Sequence, residues 1–254
     1  MSPRPPRRPL LPALVALGLA AWSLQSAAVT VSAGSSLTQA LREIAPLFEA
    51  AHPGSKLQLN FGASGALLAQ AARGAPVDVL VSADSDTMDQ AQARGLVRAA
   101  QRRDVATNVL VVVVPAAATR VPRDLPDLAD AGYARIAVGL PASVPAGRYA
   151  RAALEAAGLW RTIEPRVVGA HHVRQALDYA ARGEVDAAFV YATDAAVMPG
   201  KVKVAFPVAT PMPIRYPAAV LTSAPDPAGA ARFVEFLLTP GAQAVFARHG
   251  FGRP

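Results

Sequence analysis

The chain reads as an α/β protein built from two Rossmann-like α/β lobes joined by two crossing strands. Three observations predict this. Strand-like and helix-like runs alternate along residues 29–254. The short helix-like runs stop at glycine, where a left-handed residue ends a helix at least cost. One β-branched run, Val109 to Val114, is apolar on every side and so is buried on both faces or lies between lobes.

Taken in order, Val29 to Ser32 is a short β-rich run. A helix follows over Leu37 to Ala51, with apolar residues at 37, 41, 44, 45, 47 and 48. Leu57 to Phe61 alternates as a strand does. Leu67 to Ala72 is helical and stops at Gly74, Val77 to Val81 is a buried strand, and a helix from Asp84 ends at Gly95. Such βαβα order predicts parallel sheets with helices on both faces. After Val109 to Val114 comes a second set: strand Ile136 to Val138, helix Ala146 to Ala157, strand Arg166 to Val168, helix Val173 to Arg182 and strand Ala187 to Tyr191. Pro207, Pro211, Pro213 and Pro217 mark Phe206 to Pro217 as extended chain at a domain boundary. Tyr216 to Leu221 is again strand-like, and Phe233 to Leu238 and Ala242 to His249 close the chain as amphipathic helices. The expected division is 29–108 plus 217–254 for lobe 1 and 109–216 for lobe 2.

Residues 1–28 read as a signal peptide. Arg4, Arg7 and Arg8 form a positive start, Leu10 to Leu24 is apolar apart from Pro12, Gly18 and Ser23, and Ser26-Ala27-Ala28 offers a cleavage site. The apolar core is shorter than the roughly 20 residues of a membrane span, which favours removal over a retained anchor. Arg7-Arg8 is a twin arginine, yet the following residues do not extend a Tat pattern. There is no cysteine, which excludes a disulfide framework, a thiol nucleophile and a lipid anchor on an N-terminal Cys. An exported chain with neither device suits a bacterial periplasm. The net charge is +7, and falls to +4 without Arg4, Arg7 and Arg8. The remaining arginines are scattered with no interleaved aromatics, so no nucleic-acid partner is expected. A mild positive surplus helps to draw in anions.

Four stretches place small or hydroxyl residues just ahead of a helical pattern: Gly34 to Thr38, Gly62 to Ala66, Val144 to Gly147 and Ala170 to Val173. A helix start leaves N–H groups unpaired and carries partial positive charge, which favours an anion. Four of them point to a small oxyanion held by neutral donors.

Over the whole exported chain, the sequence resembles the periplasmic molybdate-binding proteins of ABC uptake systems. The resemblance rests on Ser35-Ser36-Leu37-Thr38, Gly74 to Asp78, Ser82-Ala83-Asp84, Val138-Gly139, Val144 to Ala150, Val173 to Leu177 and Phe189 to Ala195. It implies the type II periplasmic binding protein fold and capture of molybdate or tungstate by hinge closure. It further implies delivery to an inner-membrane ABC permease, with no enzymatic activity, no cofactor, no metal site and a monomeric state. Matching motifs imply five ligand residues: Ser36 and Ser64 from one lobe, and Ala146, Val173 and Tyr191 from the other. The serines would offer hydroxyl and backbone N–H, Ala146 and Val173 backbone N–H, and Tyr191 its phenol. A deprotonated tetrahedral oxyanion only accepts hydrogen bonds, so an all-donor set without carboxylates suits it. Gly34 departs from the pattern, where relatives often carry alanine, and could loosen the first loop.

Each residue also has a plainer reading. Ser36 with Gln39 fits a capping box, Ser64 fits an N-cap, and Pro145-Ala146 is a common helix entry. Val173 fits core, and Tyr191 fits a buried ring with its hydroxyl on backbone. Arg148 reads as a solvated helix-face arginine. His171-His172 lacks the further ligands a metal needs, although protonation of either would favour an anion at lower pH. The rival functions are a receptor for another oxyanion such as sulfate, a secreted serine hydrolase using Ser64, and a structural or adhesin-like protein. The stretch around Ser64 carries Ala66 where a nucleophile elbow needs glycine.

Overall fold

The computed structural model describes residues 28–254. The signal peptide read over residues 1–28 lies outside them, apart from Ala28. The first lobe opens with β1 (Val29–Gly34), a 3-10 turn (Ser35–Leu37), α1 (Thr38–Ala51), β2 (Leu57–Gly62), α2 (Ser64–Ala72), β3 (Val79–Val81), α3 (Ser85–Ala93) and β4 (Arg103–Asn108). The second contains β5 (Leu110–Pro115), β6 (Ile136–Gly139), α4 (Pro145–Ala156), α5 (Trp160–Ile163), β7 (Val167–Ala170), α6 (Val173–Ala181), β8 (Ala187–Tyr191), α7 (Ala192–Ala195) and β9 (Val202–Val208). The chain then returns through β10 (Ile214–Val220), α8 (Pro227–Phe236) and α9 (Pro240–Arg248). Among the described residues no helix is long and apolar enough to cross a membrane.

Each lobe is built on one five-stranded sheet, ordered β2-β1-β3-β10-β4 and β7-β6-β8-β5-β9. The expectation of parallel sheets holds only in part. β1 pairs parallel with β2 and β3, and β6 with β7 and β8, but β10 and β5 run antiparallel to both of their neighbours. These two reversed strands are the ones entered straight from a crossing. Val109 alone links β4 to β5, and residues 209–213 link β9 to β10. Ile214 already pairs with Asn108, so the return crossing is complete before Pro217.

Local chemistry explains the elements. Positive φ values of +70° to +89° at Gly74, Gly95, Gly158 and Gly183 end four helices, as their residue type predicts. Asp84 caps α3 by accepting from Thr87 N–H at 3.1 Å. β5 is buried from Leu110 through Val114, between β8 and β9, as its unbroken apolar run requires. In the first lobe, Phe48 of α1 meets Phe233 and Phe236 of α8 edge-on, with ring centres 5.3 and 5.4 Å apart. A Cβ on Gly147 would fall 1.8 Å from the Gly139 carbonyl oxygen, so only glycine lets the first turn of α4 sit on the end of β6.

Candidate functional site

Parallel strands carry their following helices at their carboxyl ends, which is where open α/β sheets place ligands. All five sequence-predicted residues lie there. Ser36 is in the 3-10 turn after β1, Ser64 is the first residue of α2 after β2, and Ala146 is the second residue of α4. Val173 opens α6, and Tyr191 ends β8. All five are buried. As first-turn residues, Ser64, Ala146 and Val173 have no carbonyl one turn earlier in their helices to accept from their N–H groups.

Contacts across the cleft tie the two sets together. Gly65 N–H donates to Ser143 O at 3.0 Å, joining the start of α2 to the approach to α4. The Tyr191 hydroxyl donates to Ala83 O at 3.1 Å, and Ala83 N–H donates to Ser64 Oγ at 3.0 Å. Arg174, beside Val173, donates from Nη2 to Ser36 O at 3.2 Å and to Gln39 Oε1 at 2.7 Å. Ser36 Oγ is 3.0 Å from the Tyr216 hydroxyl, and the Tyr191 and Tyr216 rings stand edge-on at 5.8 Å. The lobes are therefore closed on one another, with the five residues along their seam.

Several plainer readings fall at this point. Ser36 makes no capping bond, because its hydroxyl faces Tyr216 instead of its own helix. Ser64 is not an N-cap; Ala63 holds that position. Tyr191 does bond to backbone, but to that of the opposite lobe. Arg148 is not a solvated helix-face residue. Its Nε and Nη2 lie 2.8 and 2.6 Å from Asp84 Oδ2, and Nη2 reaches Thr87 Oγ1 at 2.6 Å, all across the cleft. His172 caps α6, its Nδ1 accepting from Gln175 N–H at 3.1 Å. Among the described residues no group of three His, Cys, Asp or Glu could hold a metal. A Cβ at Gly34 would stand 3.1 Å from Ala83 Cβ and 3.4 Å from Ser64 Oγ, so glycine here leaves room between the two serine loops.

The electrostatics are balanced. Arg148 and Arg174 are each matched by a buried carboxylate, Asp84 and Asp194, the second pair at 2.5 Å between Nε and Oδ1. Burial raises the Asp194 carboxyl to about 6, opposed by Arg174 and by the Tyr191 N–H it accepts. Burial also pushes the Tyr191 and Tyr216 phenols well above their ordinary value, so both keep their protons. With both arginines paired to carboxylates, the seam buries no unpaired cation at these positions. A hollow of about 390 Å³ opens on the flank beside α3 and α4. Asp86, Tyr149 and Met212 line it, and none of the five residues does.

Residues 29–252 match the model of the bacterial extracellular solute-binding proteins. This chain belongs to that family. The solute-binding protein is 36% identical over 230 residues to the molybdate-binding protein ModA of Escherichia coli K12, with 88% of each chain covered. It superposes on the periplasmic molybdate-binding protein of Azotobacter vinelandii with a TM-score of 0.76, at 26% identity, over 89% of this chain and 99% of that one. It also superposes on the sulfate-binding protein SubI of Mycobacterium tuberculosis with a TM-score of 0.79, at 22% identity, over 88% and 86% of the chains. That last likeness concerns the fold alone. The architecture of the solute-binding protein is thus the type II periplasmic binding protein fold. Sequence reasoning missed Tyr216, Asn108, Ala83 and Arg174 as members of the site. Arg174 and Ala83 stood in quoted motifs; Tyr216 and Asn108 gave no local signal, because distant strands bring them in.

Proposed function

We propose that this protein captures molybdate, and tungstate by the same donors, in the periplasm and passes it to an inner-membrane ABC permease. The observation that carries the reading is the seam itself. Hydroxyls of Ser36 and Ser64 and the helix starts at Ala146 and Val173 come from opposite lobes, and both nearby arginines are already neutralised. The 36% identity to a molybdate-binding relative supports the choice of ion. Lobe 1 supplies Ser36 and Ser64; lobe 2 supplies Ala146, Val173 and Tyr191. The Tyr191 hydroxyl transfers its donation from Ala83 O to the oxyanion on binding. Closure around the ion stabilises one of two lobe arrangements, as hinge-bending receptors do, with Val109 and residues 209–213 as the hinge. The protein works as a monomeric receptor with no catalytic step and no cofactor.

A thermal-shift and calorimetric panel of molybdate, tungstate, sulfate and phosphate tests this. Tight binding of the first two must raise the melting temperature. No response to them, or equal binding of all four, removes the assignment.

A further inference from the structure

Asn108 sits where the first crossing leaves β4, and its side chain orders a chain of hydroxyls that ends at Ser36. Its amide orientation follows from its neighbours. Val109 N–H donates to Oδ1 at 2.9 Å, so that atom must be the acceptor, and the opposite orientation would set two donors against each other. Nδ2 then gives one hydrogen to Thr193 Oγ1 at 2.9 Å and one to the Tyr216 hydroxyl at 3.0 Å. Tyr216 has a single proton. Having accepted from Asn108, it directs that proton to Ser36 Oγ, 3.0 Å away. Ser36 in turn accepts, and its own proton has to point elsewhere.

We propose that Asn108 and Tyr216 are positioning residues that point the Ser36 proton into the cleft, thereby favouring fully deprotonated oxyanions. This rests on the reading of Ser36 as a ligand group and extends it to two residues outside the five. A ligand that keeps a proton, such as hydrogen phosphate, must find an acceptor, and Ser36 is a poor one with one lone pair taken by Tyr216 and its own proton aimed at the ligand. Ser64 has the same polarity by a separate route, since its oxygen accepts from Ala83 N–H. Tyr216 is fully buried and keeps its phenolic proton, so the chain does not reverse by ionisation. The Thr193 contact comes from the second lobe, so closure adds a second acceptor to an amide whose orientation Val109 N–H already sets.

The variant Asn108→Asp reverses the chain without orphaning a group. One carboxylate oxygen still accepts from Val109 N–H, and the other accepts from Tyr216 and Thr193. Ser36 must then donate to Tyr216 and present only its lone pairs to the ligand. Calorimetry with molybdate and with hydrogen phosphate, at mildly alkaline pH, compares wild type, Asn108→Asp, Ser36→Ala and the double variant. The added charge acts in both backgrounds, whereas the polarity effect needs the Ser36 hydroxyl. The expected result is a coupling of about fivefold or more in molybdate affinity between positions 108 and 36. Anything smaller overturns the proposal. Tyr216→Phe keeps the ring packed against Tyr191 and Phe251 and serves if Asn108→Asp does not fold. It should narrow the molybdate-to-phosphate preference by about fivefold or more with Ser36 present and leave it unchanged with Ser36→Ala; an equal effect in both backgrounds overturns the proposal. A wild-type protein that binds no oxyanion removes this inference together with the functional reading. Molybdate binding with independent effects removes this inference alone.

Discussion

Arg148 of α4 and Asp84 at the start of α3 form an ion pair between the lobes, with both Nε and Nη2 of the guanidinium on one carboxylate oxygen. Asp84 is 3% exposed and Arg148 21%, so the pair is shielded from water on one side and only partly on the other. Arg148→Met leaves Asp84 buried without its cation and weakens the closed form by about 1–3 kcal/mol, the upper figure for buried pairs being reduced for partial exposure. Molybdate affinity should fall about tenfold or more, and the radius of gyration without ligand should rise in small-angle scattering. Unchanged values for both would separate this pair from closure.

Gly65 offers a steric test of the same motion. A Cβ there would stand 2.8 Å from Ser143 O and 3.0 Å from Ser143 Cα, both in the opposite lobe. Gly65→Ala adds helix propensity to α2 while obstructing closure. The variant should keep its melting temperature without ligand within a few degrees and lose molybdate affinity by about tenfold or more. Wild-type affinity would mean that the lobes need not meet at this point.

His172 gives a dependence on pH opposite in sense to the sequence expectation. Its Nδ1 must stay unprotonated to accept from Gln175, and burial lowers its pKa below the ordinary 6.5. The unfolded chain therefore takes up the proton first. The stabilisation is whole above 6.5 and is lost as pH falls toward and through the lowered value. Acid weakens the start of α6 instead of adding a cation for the ligand. His172→Asn, which caps without titrating, should lose less stability than wild type in urea melts compared at about pH 7 and pH 5. His172→Ala should cost about 1 kcal/mol at neutral pH. Parallel behaviour of wild type and His172→Asn would refute the capping role.

Ser36 and Ser64 should separate binding from folding. Ser64→Ala leaves the buried Ala83 N–H without its acceptor and should cost about 1–3 kcal/mol of stability besides affinity. Ser36→Ala leaves Tyr216 accepting from Asn108 but takes away the acceptor of its buried phenolic proton, and should likewise cost about 1–3 kcal/mol. Each should lower molybdate affinity, with the double variant folded and essentially without binding. Denaturant midpoints and calorimetry on the same samples read both quantities. Full affinity in the double variant would place the ligand elsewhere.

Local pattern made much of this fold readable. The 3.6-residue spacing of Leu41, Ile44 and Phe48, the glycine stops and the β-branched run of β5 each describe their own surroundings. β4 and β9 went unseen. Arg103-Asp104 opens the first, and Lys203 and Pro207 interrupt the second, so neither shows a clean alternation; partners β10 and β5 make them strands. The reversed direction of β5 and β10 was hidden for the same reason, since pairing sense belongs to the fold and not to the strand. At the site, the helix starts were legible because capping is local. Tyr216 and Asn108 were not, because 180 residues separate Tyr216 from Ser36 and 108 from Asn108. Arg148 was misread because a helix face that looks open in sequence is covered by the other lobe.

Ala83 has no side-chain chemistry, yet Ser64 holds its amide and Tyr191 its carbonyl, from opposite sides of the cleft. Until the Tyr191 hydroxyl turns to the ion, the spacing between those two hydroxyls is thus gauged by a single stretch of main chain. Discrimination between ions of different radius would then be written in backbone placement, and transplanting the five side chains onto another scaffold would carry over the taste for anions without the sense of size.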